Sequence, residues 1–268
     1  MEKSVKYYIV DAFASRQFRG NPAGVCVLEE AIEDKLMQSI AAENNLSETA
    51  FVLKQGDGYS LRWFTPKFEI NLCGHATLGT AYVVSHYIDI GATNMKFETM
   101  SGTLQVTRKD DVYEMTFPRY PLKKIEVTQT MIDAIGTKPI EAYAERDLYL
   151  LLEHADQVKN IVPDYYKMLK LSDWMGVVVM ARGDGETVDF VSRFFCPELN
   201  LEDPVTGSSH SSLIPYWSEK LGKNTMVSRQ LSERGGTLYC EDMNHCVKIS
   251  GQVALYLKGE LNIEPETF

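Results

Sequence analysis

Hydrophobic and polar positions alternate in a way that predicts a mixed order of strands and helices. Residues 5–13 are dense in β-branched and aromatic side chains, which predicts a strand. Residues 31–44 carry apolar side chains at 32, 36, 37 and 40, the spacing of a helix with one buried face. Residues 49–53 and 59–64 read as two strands joined by a turn containing Gly56-Asp57-Gly58. Residues 77–88 are apolar nearly all round, so this helix is expected in the interior rather than on the surface. Residues 96–117 then predict two or three strands, interrupted at Arg108-Lys-Asp-Asp111.

The same signals recur. Arg62-Trp-Phe-Thr-Pro66 returns as Arg193-Phe-Phe-Cys-Pro197, and Gly74-His-Ala-Thr-Leu78 parallels Gly207-Ser-Ser-His-Ser211. Ser101-Gly-Thr-Leu104 parallels Gly235-Gly-Thr-Leu238, and Leu46-Ser-Glu48 precedes one GDG as Leu171-Ser-Asp173 precedes another. Matches in one order with slowly drifting offsets mark an internal duplication. The second central helix is expected at 208–221, and the boundary near 119–124, where Pro118 and Pro121 break the pattern. The expected fold class is α+β: halves 1–120 and 121–268, each a curled, mostly antiparallel sheet around one buried helix, with an active-site cleft between them.

Composition narrows the function. A net charge of −10 argues against a nucleic-acid partner, which would require a basic stripe. It leaves room for a small anion held by backbone amides. Five cysteines without paired or CxxC spacing suit reduced thiols better than disulfides or a zinc centre. The chain shows no apolar signal core, and its longest clearly apolar run, 175–181, is too short for a bilayer. The expectation is a cytoplasmic protein with no membrane partner and no metal.

Candidate chemistry gathers at the two Gly-rich helix openings, Cys73-Gly74-His75 and Thr206-Gly207-Ser208. A helix N-terminus offers unpaired N–H groups and partial positive charge to a carboxylate or phosphate, so the two ends could converge on one ligand. The glycines could equally serve only tight turns. The ionisable residues nearby are Glu48, His75 and Asp203, with Ser208 as a hydroxyl partner. Glu48 leads into an apolar strand, where burial would disfavour its carboxylate and make it a usable acid–base. It could instead be a solvated turn carboxylate, His75 a satisfied core or capping histidine, and Asp203 a turn acid. His210 could line the same cleft or simply pack. His86, His154 and His245 fall in no arrangement that suggests chemistry.

These residues carry a family resemblance. GNPAGV at 20–25, NLSETAF at 45–51, RWFTP at 62–66, LCGHATLG at 72–79, EDPVTGSSH at 202–210 and QLSERGG at 230–236 together resemble the PhzF-like family of phenazine-biosynthesis isomerases. That family is related in fold to diaminopimelate epimerase and proline racemase. The resemblance implies two pseudo-symmetric halves and a site in the cleft, with Glu48 as the acid–base that moves a proton between carbons. It implies substrate-binding or proton-relay roles for His75, Asp203 and Ser208, beside Gly74 and Gly207, and a cleft-ordering role for Asn21. Ser209 stands where the family often has alanine.

The expected activity is therefore a cofactor-independent isomerisation of a small cyclic or aromatic carboxylate, with no GxGxxG or P-loop motif to suggest otherwise. A homodimer is possible on the same resemblance. A racemase or epimerase of the same fold is the alternative. It would need two opposed bases, and Cys73 has no matching thiol in 203–207. A binding protein without chemistry is a further alternative. Across the repeat His75 faces Ser208, and Glu48 corresponds loosely to Asp173.

Overall fold

The computed structural model describes residues 3–264. Met1 and Glu2 of the expected N-terminal strand approach, and 265–268 of the expected second half, lie outside the described residues. The chain forms two compact units, one of residues up to Thr116 with those from Ser250 onward, the other Phe117–Ile249. The stretch from Ser250 was expected in the second half. It belongs to the first because it extends an unbroken strand whose residues 253–263 pair antiparallel with the N-terminal strand.

The first unit runs β1 (Lys3–Ala12), β2 (Asn21–Leu28), α1 (Asp34–Asn44), β3 (Glu48–Gln55), β4 (Gly58–Phe64), β5 (Glu69–Ile70), α2 (Gly74–Val83), β6 (Asn94–Thr99), β7 (Gly102–Lys109) and β8 (Val112–Pro118). A π-turn, Val84–Ile88, continues α2 to the end expected for the buried helix. The second unit runs β9 (Lys123–Ile125), α3 (Gln129–Ile135), β10 (Glu141–Ala144), β11 (Leu148–Leu151), α4 (Ala155–Asn160), α5 (Tyr165–Met168), β12 (Val177–Arg182), β13 (Phe190–Cys196), β14 (Leu201–Asp203), α6 (His210–Leu221), β15 (Thr225–Gln230) and β16 (Gly236–Asp242); β17 (Cys246–Ile263) starts there and belongs to the first unit from Ser250 on.

Strand pairing repeats the duplication. In the first unit β1–β2 is antiparallel, β2–β3 parallel, β3–β4 antiparallel, β4–β6 parallel and β6–β7 antiparallel. In the second unit β10–β11, β11–β12, β12–β13, β13–β15 and β15–β16 follow the same sequence of directions. The α+β class and its duplicated, strand-rich sheets are as expected. Among the described residues no helix is long and apolar enough to cross a membrane.

The central helices are buried for legible reasons. On α2, Ala76, Leu78, Ala81 and Val83 are fully enclosed, and Thr77 and Thr80 satisfy their buried hydroxyls on the carbonyls of Cys73 and Ala76 at 2.6 and 2.7 Å. Gly79 allows α2 to lie against β1, since a Cβ there would come within 2.6 Å of Val10 Cγ2. In α6, Pro215 cannot donate to the Ser211 carbonyl; the Tyr120 N–H takes that oxygen at 3.0 Å instead.

The repeated arginines are structural. Arg62 grips Glu69 with two contacts of 2.6 and 2.7 Å and lies over the Phe64 ring. Arg193 grips Glu202 at 2.7 and 2.8 Å, lies over Phe195, and donates to the carbonyls of Val158, Lys159 and Ile161. Each forked pair fixes the short strand that leads towards a central helix.

Candidate active site

Glu48 is positioned by the end of α1 and the start of β3. Asn45 closes α1 in the left-handed region (φ 49°), with its N–H on the Ala41 carbonyl. Asn44 donates to the buried Thr49 hydroxyl at 3.2 Å, so Glu48, the first residue of β3, is fixed from both sides. Its strand neighbour in parallel β2 is Ala23, two residues beyond the buried Asn21. Asn21, Glu48 and the opening of α2 thereby come together within the first unit.

The buried His75 ring joins them. Its Nε2 lies 3.1 Å from Glu48 Oε2, and its Nδ1 lies 3.3 Å from Asn21 Nδ2 and 3.5 Å from Cys73 Sγ. Neither Glu48 Oε2 nor His75 Nε2 has a partner aligned for a hydrogen bond among the described residues, despite their closeness. Two imperfectly satisfied buried polar atoms side by side are unusual in a settled core. Burial by itself disfavours the imidazolium, but Cys73 and Glu48 outweigh it and raise the His75 pKa well above its ordinary value. Burial, with Glu48, pushes the Cys73 thiol up. With that thiol protonated, the Glu48 carboxylate is the negative charge that keeps the proton on His75.

The donor atoms of Glu48, Cys73 and His75 fall within 4.8 Å of one another, and their chemistry suits a cation such as zinc. Glu48 and Cys73, however, approach opposite nitrogens of the ring.

The second group of expected residues is built within the second unit. The Asp203 carboxylate accepts from Thr206 Oγ1 at 2.5 Å. The buried Gln230 receives the Thr206 N–H at 2.9 Å and donates to the Asp203 carbonyl at 2.7 Å, while Ser232 donates to the Pro204 carbonyl. The QLSERGG stretch thus staples the EDPVTG turn. The turn tightens before α6 starts at His210, two residues later than expected, through contacts such as His210 N–H on the Gly207 carbonyl at 3.0 Å. Ser208 Oγ accepts from Arg146 Nη2 at 3.0 Å.

Glu48, Gly74 and His75 therefore belong to the first unit and Asp203, Gly207 and Ser208 to the second. His210 packs: its nitrogens meet the Thr206 carbonyl and Ser228 Oγ at 2.8 and 2.9 Å, and burial lowers its pKa to about 4. The expected correspondence of Glu48 with Asp173 is corrected by register. Arg62 faces Phe51 on β3 and Arg193 faces Val179 on β12, so three residues upstream Glu48 is matched by Gly176. Sequence reasoning missed Arg146 and Asp147. Their signal was three consecutive charges, Glu145-Arg-Asp147, directly before the fully apolar β11, where a buried acid requires a partner.

Comparison with known proteins bears on the fold and the family. The duplicated sheet-and-helix fold is that of the PhzF, diaminopimelate epimerase and proline racemase proteins; a probable proline racemase from Agrobacterium radiobacter shares the fold alone, at 10% identity and a TM-score of 0.65. The profile of the phenazine biosynthesis-like (PhzC-PhzF) family matches residues 10–259, and the chain belongs to that family. It is 42% identical to an uncharacterized isomerase of Pseudomonas aeruginosa, over 97% of this chain and 99% of that one. It is similar to the crystal structure of a PhzC/PhzF protein from Clostridium difficile, with 54% identity, a TM-score of 0.93 and coverage of 97% and 100%. A PhzF-family structure from Enterococcus faecalis gives 48% identity and a TM-score of 0.94, with coverage of 97% and 99%. These relatives support an isomerase kind of function.

Proposed function

We propose that the protein is a cofactor-independent isomerase that shifts a proton between two carbons of a small cyclic or aromatic carboxylate, with Glu48 as acid and base. The observation that carries this reading is the buried approach of Glu48 Oε2 to His75 Nε2 at 3.1 Å. Glu48 takes a proton from one carbon, and the C–H electron pair enters the neighbouring unsaturated system. The same carboxyl returns the proton to another carbon as the double bond moves. Nothing is oxidised or reduced. His75, held protonated, steadies the carboxylate between steps. Asp203, Ser208 and the backbone around Gly74 and Gly207 serve substrate binding.

The racemase reading requires a second base. Thr206 occupies the place of Cys73 across the repeat, and its hydroxyl is committed to Asp203. That favours one-sided transfer. The test is wash-in of solvent deuterium over a panel of cyclic and aromatic amino and hydroxy acids. Exchange in the wild type and none in Glu48→Gln supports the proposal. Exchange that survives in Glu48→Gln overturns the assignment, and absence of exchange in both favours a binding protein.

A further inference from the structure

The two units carry different chemistry near the openings of their central helices. In the first, the residue that follows the β1–β2 connection, Asn21, touches His75, and Glu48 completes the group. In the second, Gly24 and Leu148 are matched by their partners Thr49 and Val177, which places Arg146 one residue from the counterpart of Asn21. Arg146 reaches Ser208, the counterpart of His75, at 3.0 Å. The first unit thus carries a carboxylate with an imidazole, and the second a guanidinium with a hydroxyl.

Arg146 is held by a buried acid. Its Nη2 and Nε contact the Asp147 carboxylate at 2.7 and 3.4 Å, and Asp147 is only 1% exposed, so the plane of the guanidinium is fixed. The arginine side chain itself stays 42% exposed, and its Nη1 makes no hydrogen bond among the described residues. Because Ser208 Oγ already accepts from Arg146, the serine hydroxyl hydrogen is left for another acceptor. The Arg146 Nη1 hydrogens and the Ser208 hydroxyl hydrogen are adjacent open donors. Such a set recognises an acceptor-only planar anion.

We propose that Arg146, acting with Ser208, recognises the carboxylate of the substrate. This rests on the assignment of Ser208 to substrate binding. Asp147 offsets the charge of Arg146, so discrimination comes from the direction of the donors more than from net charge.

The test is calorimetric titration with two matched pairs, benzoate against benzamide and cyclohexanecarboxylate against its carboxamide. The wild type is expected to prefer the carboxylate by about 10-fold or more, as charge-assisted pairing implies. Arg146→Gln is expected to bring the ratio towards one. Because that variant strands a buried Asp147, Arg146→Gln/Asp147→Asn is measured beside it, together with Arg146→Lys, which keeps the ion pair but loses the fork and lowers the ratio. Full preference in any folded variant overturns the proposal, as does a wild type with no preference in either pair. Glu48→Gln separates the two readings: it should lose proton exchange while keeping the carboxylate preference. Exchange that survives in Glu48→Gln would remove the acid–base assignment and leave the Arg146 result to stand or fall by itself.

Discussion

Gly176 stands in the second unit where Glu48 stands in the first, and the difference is enforced by packing. A Cβ at Gly176 would lie 2.3 Å from Phe194 Cζ and 2.9 Å from both Cε atoms. The ring fills the space that a side chain would need. The duplication therefore could not retain an acid at both positions without rebuilding that corner.

Gly176→Ala tests this directly. Overpacking beside a buried ring costs about 1–3 kcal/mol, so the variant should show a clearly lower denaturation midpoint. Stability equal to the wild type would mean that Phe194 moves freely and that the asymmetry has another origin.

Glu48→Gln should act on two observables together. Loss of a positioned acid–base lowers rates by about 10²–10⁴. The same change removes the carboxylate that keeps His75 protonated, leaving burial to act on the ring, so the His75 pKa should fall. An NMR titration of the His75 ring checks it. A His75 pKa unmoved by Glu48→Gln would contradict the electrostatic pairing.

Much of the fold was written in the chain and the site only partly so. The helix expected at 77–88 follows from a run that is apolar nearly all round, and the hairpin of β3 and β4 from the GDG turn. The strand β2 is not legible in the sequence, because Asn21-Pro-Ala-Gly looks like a loop. It pairs nonetheless, since Gly24 lets the Tyr7 ring pack closely, with Tyr7 Oη 2.9 Å from where a Cβ would stand. The short helices α3, α4 and α5 were likewise unread, each too brief to show a period. Glu48 and His75 could each be named, but nothing in their separation of 27 positions joins them. Parallel pairing of β2 with β3 does that, and such register is a long-range property.

The repeated arginines should differ in cost. Arg193 is 9% exposed and serves three backbone carbonyls besides Glu202, whereas Arg62 is 29% exposed. Breaking a buried pair by removing one partner costs about 3–5 kcal/mol. Arg193→Met should approach that figure and Arg62→Met should fall well below it, measured by urea denaturation. Equal losses would show that the carbonyl contacts contribute nothing.

His210 predicts acid sensitivity. Burial lowers its pKa to about 4 from an ordinary 6.5, so the folded state resists a proton that the unfolded chain accepts. The stabilisation is complete above pH about 6.5 and is lost as pH falls through about 4, a contribution of about 3 kcal/mol. His210→Gln should flatten the stability profile between those values, while the wild type loses stability on acidification. A wild-type profile no steeper than that of the variant would place the acid response elsewhere.

Cys73 decides between one base and two. Its thiol lies 3.5 Å from His75 Nδ1, but burial and Glu48 keep it protonated, and its counterpart across the repeat is a threonine. If Glu48 alone moves the proton, Cys73→Ala removes a packed neighbour and little else. Deuterium exchange should then stay within about tenfold of the wild type, far from the loss of about 10²–10⁴ that follows removal of an acid–base. His75 should keep the part of its raised pKa that Glu48 supplies, because Glu48 still faces its Nε2. A collapse of exchange in Cys73→Ala, with His75 titration unchanged, would make the thiol a proton donor in its own right and restore the two-base mechanism.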